Sequence, residues 1–229
     1  MQVYENLVHI RHMLMMNCYL VREEDGFTLV DTLMRGAADK IAAAAESLDM
    51  PIKRIVLTHA HIDHVGSLDA LHARLPDAEV IAHAREVPLL KKDKSLQPDE
   101  PQTPIKGGVP GVATNPTQIV AEGDMIGSLR VIFAPGHTPG HMALVDTRDN
   151  TLIAGDAFST MMGTVVSGKM NWLFPLPAFA TWHKPTALET AKKLRALDPS
   201  KLAVGHGQVL INPLPDMDKA IREAEKAFA

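Results

Sequence analysis

Apolar positions along this chain follow two rhythms, short β-like runs and longer stretches with helical spacing. Leu14 to Val21 is mostly apolar and Phe27-Thr28-Leu29-Val30 is β-prone; the charged Glu23-Glu24-Asp25-Gly26 between them predicts a hairpin turn. Residues 36–49 place Ala37, Ile41, Ala45 and Leu48 on one helical face, and Pro51 closes that helix. A strand is predicted over 54–57, then a helix over 65–75 through Val65, Leu68, Leu71 and Leu75, then a short strand at 79–82. The second half repeats the alternation. Strands are predicted at 129–133, 142–145, 151–154 and 201–204, with helices over 187–197 and through Met217, Ile221, Ala224 and Phe228. This weak duplication suggests two pseudo-equivalent layers of strands and helices.

Two stretches break the rhythm. From Lys91 to Pro116, five prolines and Gly107-Gly108 alternate with polar residues, which resists helix and strand alike. A run this long is usually functional or mobile, and it is expected to be either a solvated linker or, the reading favoured, a loop beside a substrate entrance joining the two halves. The segment 157–184 carries Met161, Met162, Met170, Trp172, Leu173, Phe174, Phe179 and Trp182, both tryptophans of the chain among them. It is expected either to wall an apolar binding site or to pack, on its own core or against a second copy in a homodimer.

Composition narrows the classes. The length of 229 residues suits one domain of two similar halves, and the 46% hydrophobic and 22% charged content is that of a soluble globular protein. A net charge of -4 and 4% aromatics argue against a nucleic-acid surface. The single Cys18 excludes an internal disulfide and lies in an apolar run, where a buried, inert thiol is expected. No basic, apolar leader opens the sequence and no apolar run reaches the roughly 18 residues of a membrane span, so the expected location is cytoplasmic, with no membrane partner.

The chemistry concentrates in Thr58-His59-Ala60-His61-Ile62-Asp63-His64, placed between a predicted strand and helix. Three imidazoles and a carboxylate within six residues suit zinc or another first-row divalent metal. Three more strand ends carry His or Asp beside glycine, at His137, Asp156 and His206. Together these seven side chains are enough for two metals sharing one carboxylate. Asp31, ending its own strand, either caps a turn or hydrogen-bonds a ligand loop, since metal-bound imidazoles usually have such partners. Lone histidines at 83 and 183 are expected to be structural.

This combination resembles the metallo-β-lactamase superfamily, matching its His-x-His-x-Asp-His signature and the later His, Asp and His in order over nearly the whole chain. The resemblance implies an α/β fold, a four-layer αβ/βα sandwich of two mixed sheets flanked by helices, as one domain over 1–229. It implies His59, His61 and His137 on a first metal, Asp63, His64 and His206 on a second, and Asp156 bridging both. His141, in the Pro-Gly-His-Thr-Pro-Gly-His turn, matches no ligand position and is expected to support the site or the turn.

Two divalent ions, zinc first, with iron, manganese or cobalt also fitting, would hold an attacking hydroxide between them. Asp63 would orient that hydroxide and pass a proton to the leaving group. No protein nucleophile is evident. The expected function is hydrolysis of a small ester, lactone or thioester. The alternatives are β-lactam or phosphodiester hydrolysis, or a non-catalytic binding domain. Oxidoreductase members resemble this pattern but carry Glu where this chain has His61. Lactonases of the family typically have Tyr three residues after the bridging Asp; here that position is Ser159, with Phe158 beside it. Glyoxalase II enzymes typically continue Gly-Gly where this chain has Gly66-Ser67, and add a helical domain. Phe158, Ser159 and Trp172 are the substrate-side candidates.

Overall fold

The computed structural model describes residues 1–229 and resolves into two compact units. The first comprises Met1–Asp93 and Val109–Val120; the second comprises Lys94–Gly108 and Ala121–Ala229.

The first unit is built on a seven-stranded sheet whose spatial order follows the sequence. Gln2–Val3, Leu7–His12, Met16–Arg22 and Phe27–Val30 pair antiparallel through short turns. From Phe27–Val30 onward, Ile52–Leu57, Glu79–His83 and Gln118–Val120 add in parallel. Parallel pairing needs crossovers. Helix Ala38–Glu46 supplies the first, and Ile62–Val65 with Leu68–Arg74 supplies the second. Val80 and Ile81 are fully buried together, as are Ile55, Val56 and Leu57, so both faces of these central strands are covered. The continuous apolar run before His59 is therefore a core strand ending at the ligand loop. Cys18 is buried, as expected.

The second unit carries a six-stranded sheet in the order Leu210–Ile211, Lys201–Ala203, Thr151–Ile153, Met142–Asp146, Leu129–Phe133, Met125–Ile126. Only Thr151–Ile153 and Lys201–Ala203 pair in parallel, joined by a crossover that includes helix Lys184–Arg195. That helix and Leu214–Phe228 bury Ala191, Leu194, Met217, Ala220 and Ala224 against Val145, Leu152 and Leu202. Phe158 is fully buried in the same core, where its ring is used in packing.

Two sequence expectations are refined. The helix predicted over 65–75 is two helices, parted at Gly66-Ser67. A Cβ at Gly66 would collide with the carbonyl of Ile62 and the backbone of Met34 and Arg35, so the chain can pass there only without a side chain. The 91–116 run is devoid of strand and, past Leu90, of helix, yet it is tied down. Asp69 accepts hydrogen bonds from Ala113 N–H, Thr114 N–H and Thr114 Oγ1 in the first unit. Thr103 O accepts the indole N–H of Trp182 at 2.8 Å in the second.

Candidate metal centre

In the first unit, strand Ile52–Leu57 is followed by Thr58 to His61 and then by the short helix Ile62–Val65, so Asp63 and His64 sit on a helical turn and not, as expected, in a loop. His59, His61 and His64 are buried, at no more than 3% exposure, while the Asp63 side chain keeps 24%. Burying three imidazoles is unfavourable unless their polar atoms are engaged. Much of that engagement comes from Asp31, itself buried and held at a left-handed φ of 63°. Asp31 Oδ1 accepts the Thr58 N–H at 2.8 Å, and Oδ2 accepts the Thr58 hydroxyl at 2.7 Å. The same Oδ2 lies 2.7 Å from His64 Nδ1. A carboxylate accepts, so His64 carries its proton on Nδ1 and turns the Nε2 lone pair away. Asp31 thus hydrogen-bonds the candidate donor His64 as well as the Thr58 turn.

The same reasoning reaches His59. Its Nδ1 lies 3.0 Å from Thr58 Oγ1, whose proton is already given to Asp31. The hydroxyl oxygen must therefore accept from His59 Nδ1–H, which leaves the lone pair on Nε2. That Nε2 sits 3.1 Å from His61 Nδ1, and the His59 and His64 ring centres are 4.0 Å apart. Asp63 Oδ2 lies 3.9 Å from His64 Nε2. Glu86, fully buried in the turn after strand Glu79–His83, accepts the Ala60 N–H at 2.7 Å and so grips the loop between its first two histidines.

In the second unit, His137, Asp156 and His206 come together. One oxygen of the buried Asp156, Oδ2, lies 3.4 Å from His137 Nε2 and 3.2 Å from His206 Nε2. Each arrives from a different connection after a sheet strand. Gly136 precedes His137 at φ 130°, with the backbone of Ala187 so near that any Cβ would clash. His141 Nε2 accepts the Asp156 N–H at 3.0 Å, and its Nδ1–H donates to Ala134 O at 3.0 Å. The imidazole thereby staples the Asp156 turn to the end of strand Leu129–Phe133. Ser159 Oγ donates to His206 O at 3.2 Å, and the Phe174 ring lies 5.3 Å from the His206 ring.

The lone histidines are structural: His83 Nδ1 accepts the Arg85 N–H, and His183 Nδ1 accepts the Thr186 N–H at the start of a helix. Trp172 is 85% exposed. Sequence reasoning missed Thr58, Glu86, Ser167 and Thr181. Thr58 at least adjoins the motif. Glu86, Ser167 and Thr181 lie 26 to 44 residues from the backbone or ring they support, with no local signal.

The donors, buried imidazole nitrogens and carboxylates with pairs of them 3.1 to 3.9 Å apart, are of the kinds that zinc, iron, manganese or cobalt take. Exposed acidic clusters occur without ions; these donors are, Asp63 apart, buried.

Comparison with known proteins agrees. The model of the metallo-beta-lactamase superfamily matches residues 14–206. "Uncharacterized protein YobT" of Bacillus subtilis (strain 168) is 51% identical over 211 residues, which are 92% of this chain and 91% of that protein. "Hydroxyacylglutathione hydrolase GloC" of Haemophilus influenzae is 29% identical over 147 residues, 61% of this chain and 65% of that protein. Among solved structures, TTHA1623 in a di-iron-bound form is similar with a TM-score of 0.63 and 25% identity, over 91% of this chain and 95% of that one.

Proposed function

The chain belongs to the metallo-beta-lactamase superfamily and has its fold, and on that premise we propose that it is a dinuclear metal-dependent hydrolase of a small thioester, ester or lactone. The observation that carries the proposal is Asp156 Oδ2, which lies 3.4 Å from His137 Nε2 and 3.2 Å from His206 Nε2. In this reading His59, His61 and His137 hold one cation, Asp63, His64 and His206 hold the other, and Asp156 serves both. Such cations, when bound, lower the pKa of water and polarise a substrate carbonyl.

This chain's own residues do the rest. Asp31 and Thr58 keep the Nδ1 protons of His64 and His59 in place, so that both rings offer Nε2. Asp63 is the proposed ligand with a partly exposed carboxylate, which suits it to orient the attacking water and pass a proton to the leaving group. The exposed Trp172, Leu173, Leu176 and Phe179 offer an apolar surface for the non-reacting part of the substrate. Thioesters come first in the reading because GloC is named as a hydroxyacylglutathione hydrolase; zinc and iron both suit the donors, and iron is the metal named for TTHA1623.

The test is a panel of thioester, ester, lactone, β-lactam and phosphodiester substrates offered to protein loaded with zinc or iron. The expected result is turnover of a thioester, ester or lactone, with Asp63→Ala lowering kcat by about 10²–10⁴-fold. Turnover of none, with Asp63→Ala indistinguishable from the parent in metal content and every assay, would leave a binding domain instead.

A further inference from the structure

The segment 157–184 has a role in the second unit that its apolar character hides. Two of its few hydroxyl groups, Ser167 and Thr181, are buried at 2% and 0% exposure beside His137, itself at 1%. His137 Nδ1 lies 2.9 Å from Ser167 Oγ and 3.3 Å from Thr181 Oγ1, and the two hydroxyl oxygens are 2.9 Å apart. Thr181 Oγ1 also lies 2.7 Å from Pro177 O.

Proton accounting gives this chain a direction. A carbonyl only accepts, so the Thr181 proton goes to Pro177 O. Thr181 Oγ1 then has only lone pairs left for its neighbours, so the Ser167 proton goes to Thr181. Ser167 Oγ in turn can only accept from His137, which must carry its proton on Nδ1. The remaining lone pair is on Nε2, the atom 3.4 Å from Asp156 Oδ2. The backbone reinforces the arrangement. Trp182 N–H donates to His137 O and His183 N–H donates to Gly136 O, both at 2.9 Å, so the carrier of Thr181 is locked to the carrier of His137.

We propose that Ser167 and Thr181 are positioning residues: a one-way hydroxyl chain, anchored on the Pro177 carbonyl, that fixes His137 in its Nδ1–H tautomer and holds Nε2 ready as a donor. A neutral imidazole in water favours the other tautomer, with its proton on Nε2, which would block that donor. The chain therefore opposes the intrinsic preference of the ring in a place water does not reach. Ser167→Ala with Thr181→Val removes it, whereas Ser167→Thr preserves the hydroxyl. The metal consequence rests on the reading given under the proposed function; the tautomer does not, and is measured without metal.

The experiment is ¹⁵N-histidine NMR on the metal-free full chain, read on the alkaline side of the titration followed by the His137 ¹⁵N shifts themselves, where the ring has lost its second proton. The parent and Ser167→Thr are expected to show His137 protonated on Nδ1, and Ser167→Ala/Thr181→Val to move it to a mixture or to Nε2–H. A parallel titration with Co²⁺ or Zn²⁺ is expected to show about 10–100-fold weaker binding in the double variant, restored in Ser167→Thr. An Nε2–H ring in the parent overturns the proposal, and so does an unchanged Nδ1–H ring in the double variant. Should the double variant not fold, Thr181→Val alone frees the Ser167 proton to point at His137 Nδ1 and is expected to move the ring toward Nε2–H, an unchanged Nδ1–H ring there overturning the proposal. A parent that shows the Nδ1–H ring but takes up no metal would defeat the dinuclear reading and leave the tautomer assignment standing.

Discussion

The imidazole of His141 accepts the backbone N–H of Asp156 at 3.0 Å, so the residue whose carboxylate lies between His137 and His206 is held by its main chain from a histidine fifteen positions earlier. His141 is fully buried and its other nitrogen is occupied by Ala134 O. His141→Ala is expected to leave a buried N–H and a buried carbonyl short of partners, costing about 1–3 kcal/mol for each such group. Gln offers a carbonyl oxygen to the same N–H and is expected to retain part of the loss. Urea denaturation of the three proteins, with metal content measured on each, checks this; equal stability of His141→Ala and parent would refute it.

Asp31 gathers two hydrogens from Thr58 and one from His64 on two oxygens. Asp31→Asn is expected to fail as a substitute, because its NH₂ faces donors whichever way the amide is turned. Metal affinity should fall about 10–100-fold in both Asn and Ala variants. Competition with a chelator of known affinity reads this directly.

Glu86 tests the loop from its other side. Removing it strands the Ala60 N–H between His59 and His61. Glu86→Ala is expected to destabilise the metal-free protein by about 1–3 kcal/mol, and Glu86→Gln, which keeps an acceptor oxygen, by less. Thermal or urea unfolding distinguishes them, and identical curves for Ala and Gln would show that the acceptor is unimportant.

The anchor of the proline-rich run is expected to depend on pH. Partial burial pushes the Asp69 carboxyl up, but hydrogen bonds from Ala113 N–H, Thr114 Oγ1 and Thr114 N–H, with the charge of Lys91, outweigh it and leave the group below its ordinary value. A depressed carboxyl stabilises the folded state above the unfolded pKa, about 3.9, and loses that contribution as pH falls through the lower folded value. Amide exchange at Ala113 and Thr114, corrected for intrinsic rates, should therefore be flat from neutrality to about pH 4 and rise below it. In Asp69→Asn the rise should be absent and exchange fast throughout.

What the sequence made legible were the things carried by local pattern. The run Ile55-Val56-Leu57 marked a buried strand, and His59 to His64 marked a cluster of candidate donors at its end, because the spacing is local there. The single helix expected over 65–75 was misjudged at Gly66, since the obstacle is the backbone of Met34 and Arg35, some thirty residues away. Glu86, Ser167 and Thr181 were invisible for the same reason: their partners are set by strand order and crossovers, and an isolated Glu, Ser or Thr has no periodicity to betray it. The 157–184 segment was expected to act through its large apolar groups. Phe158 and Trp182 are buried, Trp172 and Leu173 are exposed, and the hydroxyls between them touch His137.

The division of the chain has a practical corollary for dissection. The backbone changes unit at 93/94, returns at 108/109 and changes again at 120/121. A fragment cut after residue 93 would keep six strands but lose Gln118–Val120, uncovering the edge of Glu79–His83, where Val80, Ile81 and Ala82 are fully buried. A bare, flat, apolar strand edge invites pairing with other chains. Truncation at that seam should yield inclusion bodies rather than half a protein, whereas splicing 1–93 to 109–120 through a short linker would return the missing strand.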